Sequence, residues 1–332
     1  MATINDVAKK AGVGVSTVSK VLNNYAYVSD TTRKKVMDAV DALDYVPNTV
    51  ASALSSKQNK RIAIVVFINN KRQAIDEINM QYLFGAFNRS KEYKYELVTI
   101  FSTMFEDKNK KELIQFFKSL QVQALIVYGL HKEQPHFKEM IEEDHFLSVV
   151  VDAPIVTKRT TSVMVDHLLA QYDITKQMID GFDGNHLRQI LYLGGRQDGF
   201  VTELRLKGVL KAGQECGVDI NVQFADFSER KAHDLCMKYG EKANIVVCAS
   251  DLMAIGAIKA LKEKDIFRPV CGYDGIKLLG YMNYRILTVC QDFFEISESA
   301  VDEAHRLFLG EEGRIKHIVY KIDRINYDDV IL

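Results

Sequence analysis

Residues 3–22 read TINDVAKKAGVGVSTVSKVL. Thr3 and Asp6 have the spacing of a capping box, and Ile4, Val7, Ala8 and Ala11 share one helical face. That pattern predicts a helix from Thr3 to about Ala11. Gly12-Val13-Gly14 then turns the chain. Val15, Val18, Val21 and Leu22 recur at helical spacing while Ser16, Thr17, Ser19 and Lys20 occupy the other faces, so a second short helix should rest on a small core. Two helices joined by a glycine-containing turn have the form of a helix-turn-helix, whose second helix lies in the DNA major groove. Many helical hairpins bind nothing, so the spacing alone leaves both readings open.

Outward from this stretch, Ser29 is placed to cap a third helix in which Val36, Ala39, Val40 and Leu43 are spaced for burial. Pro47 ends that unit, and Asn48 can cap a further short helix over 49–56, followed by the linker 57–60. From Arg61 the texture changes. Apolar runs at Ile62–Ile68, Leu97–Phe101, Ala124–Val127, Leu147–Val151, Ile190–Leu193, Ile245–Cys248 and Ile286–Val289 alternate with helical stretches, from Asn79–Glu92 through to Ile296–Leu309. Alternation of buried strand and helix is the pattern of parallel α/β sheets.

A chain of 332 residues exceeds one comfortable core, and 47% hydrophobic with 26% charged residues excludes a mainly disordered chain. The net charge of −1 hides an asymmetry: residues 1–60 carry eight Lys/Arg against five acids, a net +3, which leaves −4 for the remainder. A basic head on an acidic body suits a chain that meets phosphate at one end only. The five cysteines are no closer than 12 residues apart, which indicates neither a disulfide framework nor a C-x-x-C metal site. The polar N-terminus and the lack of a long apolar run predict a cytosolic protein with no membrane partner.

Thr3-Ile4-Asn5-Asp6-Val7-Ala8, Ala11-Gly12-Val13, Thr17-Val18-Ser19, Val21-Leu22-Asn23, Val28-Ser29, Thr32-Arg33, Tyr45, Pro47-Asn48 and Ala51 with Leu54 closely resemble the DNA-binding region of the lactose/galactose repressor (LacI/GalR) family. The resemblance implies a small all-α helix-turn-helix domain over 1–46, a hinge helix and linker over 47–60, and an α/β periplasmic-binding-protein-like body over 61–332 that binds effector and dimerises. It divides that body into two parallel-sheet subdomains, about 61–156 plus 292–320 and about 160–288 plus 323–332.

The resemblance also implies roles. Val15 and Ser16 stand where the family reads base edges, and Lys20 stands where Arg is usual, so it donates to guanine without a rigid bidentate fork. For Val15 the small core is an equally good destination. Thr3, Thr17, Ser19, Asn23, Tyr27 and Ser29 complete the contacts with double-stranded DNA. Asn48, Ala51 and Leu54 belong to the hinge, with Leu54 as a wedge in the minor groove. The implied partners are a pseudopalindromic operator, a second copy of the chain and a small polar effector, foremost a carbohydrate.

In the body, Arg205 matches the family's ligand-contacting arginine, while Ser250 stands where Asn is commoner. Asp152, Asp274, Gln291 and the aromatic Phe227 complete the expected effector set, beyond the carboxyl ends of the strands. Asp251 invites a plainer reading as the cap of the following helix. The chain has no Trp, which removes the commonest platform for stacking a sugar. No G-x-G-x-x-G after a strand, Walker loop, G-x-S-x-G or H-E-x-x-H is present, and the eight histidines are scattered, so no enzyme, cofactor or metal is expected. A transport-type binding protein shares the body but lacks a head such as residues 1–60. The family analogy favours repression over activation and leaves operator, target genes and effector unnamed.

Overall fold

A computed structural model describes residues 2–22, 25, 27–45, 60–67, 77–182, 187–282 and 284–326. The chain separates into two units, Met1–Asn59 and Lys60–Leu332. In the first unit, helices α1 (Ile4–Ala11), α2 (Val15–Leu22) and α3 (Asp30–Ala42) surround a core of Val7, Ala8, Val18, Val21, Val36 and Ala39. A core this small makes the helix ends matter. The Thr3 backbone and hydroxyl donate to the Asp6 carboxylate at 2.8 and 2.7 Å, and Thr3 Oγ1 accepts from the Asp6 N–H at 3.3 Å. The capping box thus satisfies donors that the first turn leaves orphaned. At its other end α1 stops because Gly12 turns left-handed, at φ 65°, and donates to Ala8 O. Ser29 caps α3 by accepting from Thr32 N.

The second unit begins with β1 (Arg61–Val66), α4 (Glu77–Tyr93), β2 (Glu96–Phe101), α5 (Lys110–Ser119), β3 (Ala124–Tyr128), α6 (Pro135–Glu142), β4 (Leu147–Val151), β5 (Thr160–Val165) and α7 (His167–Asp180). It continues through β6 (Gln189–Gly194), α8 (Phe200–Cys216), β7 (Asp219–Phe224), α9 (Glu229–Tyr239), β8 (Ile245–Cys248), α10 (Asp251–Glu263) and β9 (Val270–Asp274). It closes with β10 (Ile286–Cys290), α11 (Phe293–Phe308), β11 (Ile315–Ile318) and β12 (Lys321–Ile325).

Two six-stranded sheets result, ordered β11-β5-β4-β3-β1-β2 and β12-β10-β9-β8-β6-β7. Among the described strands every pairing is parallel except β10 with β12. Helices cover both faces of each sheet, which is why β3, β5 and β8 are buried at every residue instead of alternating. The chain passes between the sheets three times: after β5, after β10, and between β11 and β12.

One boundary differs from the sequence expectation. The family resemblance places residues from 160 onward in the second subdomain, yet β5 pairs with β4 in the first sheet, so the first crossing follows Val165. The segment was hard to see because Thr160, Thr161 and Ser162 dilute its apolar character. All three are fully buried, and the Ser162 hydroxyl donates to Ala153 O at 2.8 Å. Asn23, Asn48, Ala51, Leu54 and the hinge helix over 49–56 lie outside the described residues.

Candidate functional site

In the first unit, α2 divides its residues by burial. Val18 and Val21 go into the core, whereas Ser16 and Lys20 face solvent and Thr17 and Ser19 are half-buried. Val15 is 40% exposed, so it belongs to the outer face of the helix and not to the core. Tyr27 is 69% exposed, with its ring edge-on to Tyr25 and its face 5.4 Å from Lys20 Nζ. Arg33 steadies this corner by donating to Tyr25 O at 2.9 Å. The surface offers an apolar methyl pair at Val15, a hydroxyl at Ser16, an ammonium at Lys20 and a phenol at Tyr27, all groups that match base edges or phosphate. Thr3 and Ser29 are exposed, but their hydroxyls already serve as helix caps.

In the second unit, a cleft of about 250 Å³ opens beyond the carboxyl ends of the strands, lined from both sheets. Asp152 follows β4 at φ 61°, and Asp274 ends β9 at φ 125°. Such backbone positions are strained for non-glycine residues and are held by their surroundings. Ser250, Phe227, Asp152 and Asp274 line the cleft, together with Tyr82 and Tyr128, whose rings stack at 4.4 Å. Asp226 and Phe227 are consecutive left-handed residues, at φ 54° and 56°. They lay the Phe227 ring over Gly195, where an added Cβ would come within 2.0 Å of the ring.

Behind this lining stands a polar layer. His167, wholly buried at the start of α7, has Nε2 2.8 Å from the Asp152 carboxylate and Nδ1 2.8 Å from the Tyr273 hydroxyl. Burial lowers the His167 pKa, so the ring is neutral. Its Nε2–H donates to Asp152 and its Nδ1 accepts from Tyr273, an assignment that the approach of Arg205 Nη2 to Nδ1 at 3.4 Å also requires.

Arg205 and Gln291 do not line the cleft. Arg205 is only 4% exposed, stacks 3.6 Å above the Tyr273 ring and donates to Ala249 O at 2.6 Å, with Nη1 3.8 Å from Asp274. Gln291 donates to Asp274 Oδ1 at 3.1 Å. Both therefore touch the cleft lining at Asp274. Burial holds the Asp274 carboxyl well above its usual range despite the guanidinium.

The helix cap at this end of α10 is Ser250, whose hydroxyl accepts from Met253 N at 3.3 Å. Asp251 is not the cap. It is fully buried and accepts from Gly275 N at 2.7 Å, Ile276 N at 2.9 Å and the Thr288 hydroxyl at 2.6 Å. Gly272 makes room for it, since a Cβ there would meet Asp251 Oδ1 at 2.0 Å. Asp251 therefore ties the β9 end, and so Asp274, to β10 and α10.

Sequence reasoning missed His167, Tyr273 and a clasp at the cleft mouth. His131 Nδ1 lies 2.9 Å from Asp198 Oδ2 across the two lobes, and Lys132 joins them twice, through its N–H to Asp198 O at 2.9 Å and its Nζ to Glu203 at 2.9 Å. Arg196 donates to the same Asp198 carboxylate at 2.5 and 2.9 Å. His131, Glu133 and Asp198 bring their donor atoms within 4.8 Å of one another, but Arg196 already pairs with Asp198, and burial beside Arg196 lowers the His131 pKa.

Residues 3–48 match the family described as bacterial regulatory proteins, lacI family. The chain is 29% identical over 315 residues to the HTH-type transcriptional regulator RegA of Clostridium saccharobutylicum, covering 91% of each chain. It is 28% identical over 313 residues to the ribose operon repressor of Haemophilus influenzae, covering 91% of this chain and 90% of the other. The crystal structure of the Lac repressor bound to ONPG in the repressed state superposes with a TM-score of 0.80 at 22% identity, over 97% of this chain and 98% of that one. Both relatives are named as regulators, not enzymes, and no helix among the described residues is long and apolar enough to cross a membrane. With residues 3–48 matching the lacI family of bacterial regulatory proteins, in one chain with a two-sheet body that carries a cleft, the protein is a DNA-binding transcription regulator.

Proposed function

We propose that this regulator is a cytoplasmic repressor without enzymatic activity, that it binds a pseudopalindromic operator as a homodimer, and that a small polyhydroxylated metabolite in the cleft controls it. Val15, Ser16 and Lys20 read base edges in each half-site, and the hinge segment with Asn48, Ala51 and Leu54 enters the minor groove. Dimerisation has support in the second unit, where Phe84 and Phe87 on α4 are 59% and 52% exposed beside Phe294 of α11. Apolar clusters of this kind mark protein interfaces.

The observation that carries the effector reading is the pair Asp152 and Asp274, facing one cleft from different sheets and joined behind it by His167 and Tyr273. A ligand hydrogen-bonded to both carboxyl groups fixes the relative orientation of the lobes. Coupling of about 1–3 kcal/mol between cleft and DNA suffices to change operator occupancy several-fold. A carbohydrate fits the mixture of aromatic wall, acids and hydroxyl donors. The sugar repressor names among the relatives, such as the ribose operon repressor, point the same way.

The test is a thermal-shift screen of sugars, sugar phosphates and nucleosides, since a cleft ligand raises stability by mass action. Hits are then assayed for their effect on operator affinity. Asp274→Asn should lose the response while the protein stays folded and bound to DNA. A full response in that variant would overturn the cleft assignment. Arg205→Ala is a poorer probe, because truncating a buried guanidinium damages the fold as well as the site.

A further inference from the structure

The second sheet carries another cavity, of about 340 Å³, at the ends of its strands opposite the cleft, where β9 and β10 begin and β12 finishes. Its size is that of a small-ligand pocket. The floor is apolar, from Leu261 on α10 and Leu287 on β10, and Phe267, 80% exposed, stands at its edge.

Four cations line it. Arg268 is committed to the fold, donating to the carbonyls of Ala243, Phe267 and Glu241. Lys262, Arg285 and Arg324 are different: all three are exposed, none is paired with a carboxylate among the described residues, and no described carboxylate lines the cavity. Strand register puts two of them together. Leu287 lies opposite Arg324 across β10 and β12, and Arg285 immediately precedes β10. Two guanidinium groups thus line one cavity beside the same apolar patch.

We propose that this cavity is a second ligand site, which takes a small organic anion bearing a carboxylate or phosphate on an aryl or alkyl body. The apolar floor takes the body and the unpaired cations take the head. The elements that build it run on to the cleft: α7 starts at His167, α10 follows Ser250, β9 ends at Asp274 and β10 runs to the residue before Gln291. The two sites therefore share their supports.

The chain contains no Trp, so Phe267→Trp in the full-length protein gives a single fluorescent reporter at the cavity edge. It is titrated with 4-phenylbutyrate and with phenyl phosphate, which separate the two head groups, and with benzyl alcohol as the neutral control. At least one anion should saturate the signal with Kd below about 1 mM, and adding Arg285→Gln with Arg324→Gln should weaken it roughly tenfold without changing the melting temperature. The same titration on an Asp274→Asn background should be unchanged, which separates this site from the cleft. The proposal is overturned if neither anion binds, if benzyl alcohol binds as well, if the double variant binds equally, or if Asp274→Asn abolishes the signal. It is also overturned if deleting residues 327–332 raises affinity tenfold, which would assign the cavity to that acidic and apolar segment of the chain.

Discussion

The α2 face and the cleft present their chemistry in opposite ways. On α2, burial and recognition are divided between neighbours: Val18 and Val21 hold the helix down while Val15, Ser16 and Lys20 stand out. At the cleft and in the layer behind it, Asp274, Asp251, Arg205 and His167 are themselves buried, and each is bonded to a group that helps shape the second sheet. A reading face can therefore be rewritten with little effect on folding, whereas a change in the cleft alters stability and recognition together. The physical cause is desolvation. A polar group that never leaves water needs no fixed partner, and one that does must keep every partner it has.

The largest expected effect lies behind the cleft. Asp251→Ala strips the acceptor from Gly275 N, Ile276 N and the Thr288 hydroxyl, and should cost about 3–5 kcal/mol in urea unfolding of the second unit. A loss below about 1 kcal/mol would break the contrast at its root. The same residue sets a pH signature. Burial pushes its carboxyl up to about 6 from the ordinary 3.8, so the folded chain keeps this proton over a window in which the unfolded chain has lost it. Its contribution is then whole below about pH 4 and lost as the pH rises through about 6. Asp251→Asn, with no proton to lose, should gain on the wild type by on the order of 2 kcal/mol between pH 4 and 7. A constant difference across that range would show that Asp251 is ionised throughout.

On α2 the expected effects separate. Lys20→Ala should weaken operator binding by about 1–3 kcal/mol in a gel-shift or anisotropy titration, while thermal unfolding of the first unit moves by less than about 0.5 kcal/mol. If affinity fell equally on unrelated DNA, Lys20 would be a phosphate contact. The smallest effect is Thr3→Ala, which removes the cap and should cost the first unit about 1 kcal/mol. Its effect on DNA affinity at saturating stability should be slight, and a large loss there would make Thr3 a contact residue in addition to a cap.

Legibility followed the same division. The first unit rests on neighbours three and four apart, such as Thr3 with Asp6 and Val18 with Val21, and these spacings are visible in a linear reading. Strand-helix alternation exposed most of the body, but hydroxyl-rich β5 escaped it. Of the residues expected to hold an effector, Asp152, Phe227, Ser250 and Asp274 line the cleft, and for Asp152 and Asp274 the strand ends could be located from sequence. Depth cannot be located that way, and Arg205 and Gln291 turned out to stand one layer back. His167 and Tyr273 meet across 106 residues, and no local pattern marks either of them.

The order in which the two sheets draw on the chain has a consequence during synthesis. The first sheet needs β11, which begins at residue 315, to pair with β5, which ends at residue 165. At translation rates of 5–20 residues per second, β5 waits roughly 8–30 s for its neighbour with one edge uncovered. An exposed strand edge pairs readily with other chains. The nascent protein thus passes through an interval in which its first lobe is most open to aggregation while its second is still being made, and slow synthesis or a stalled ribosome before residue 315 lengthens that interval.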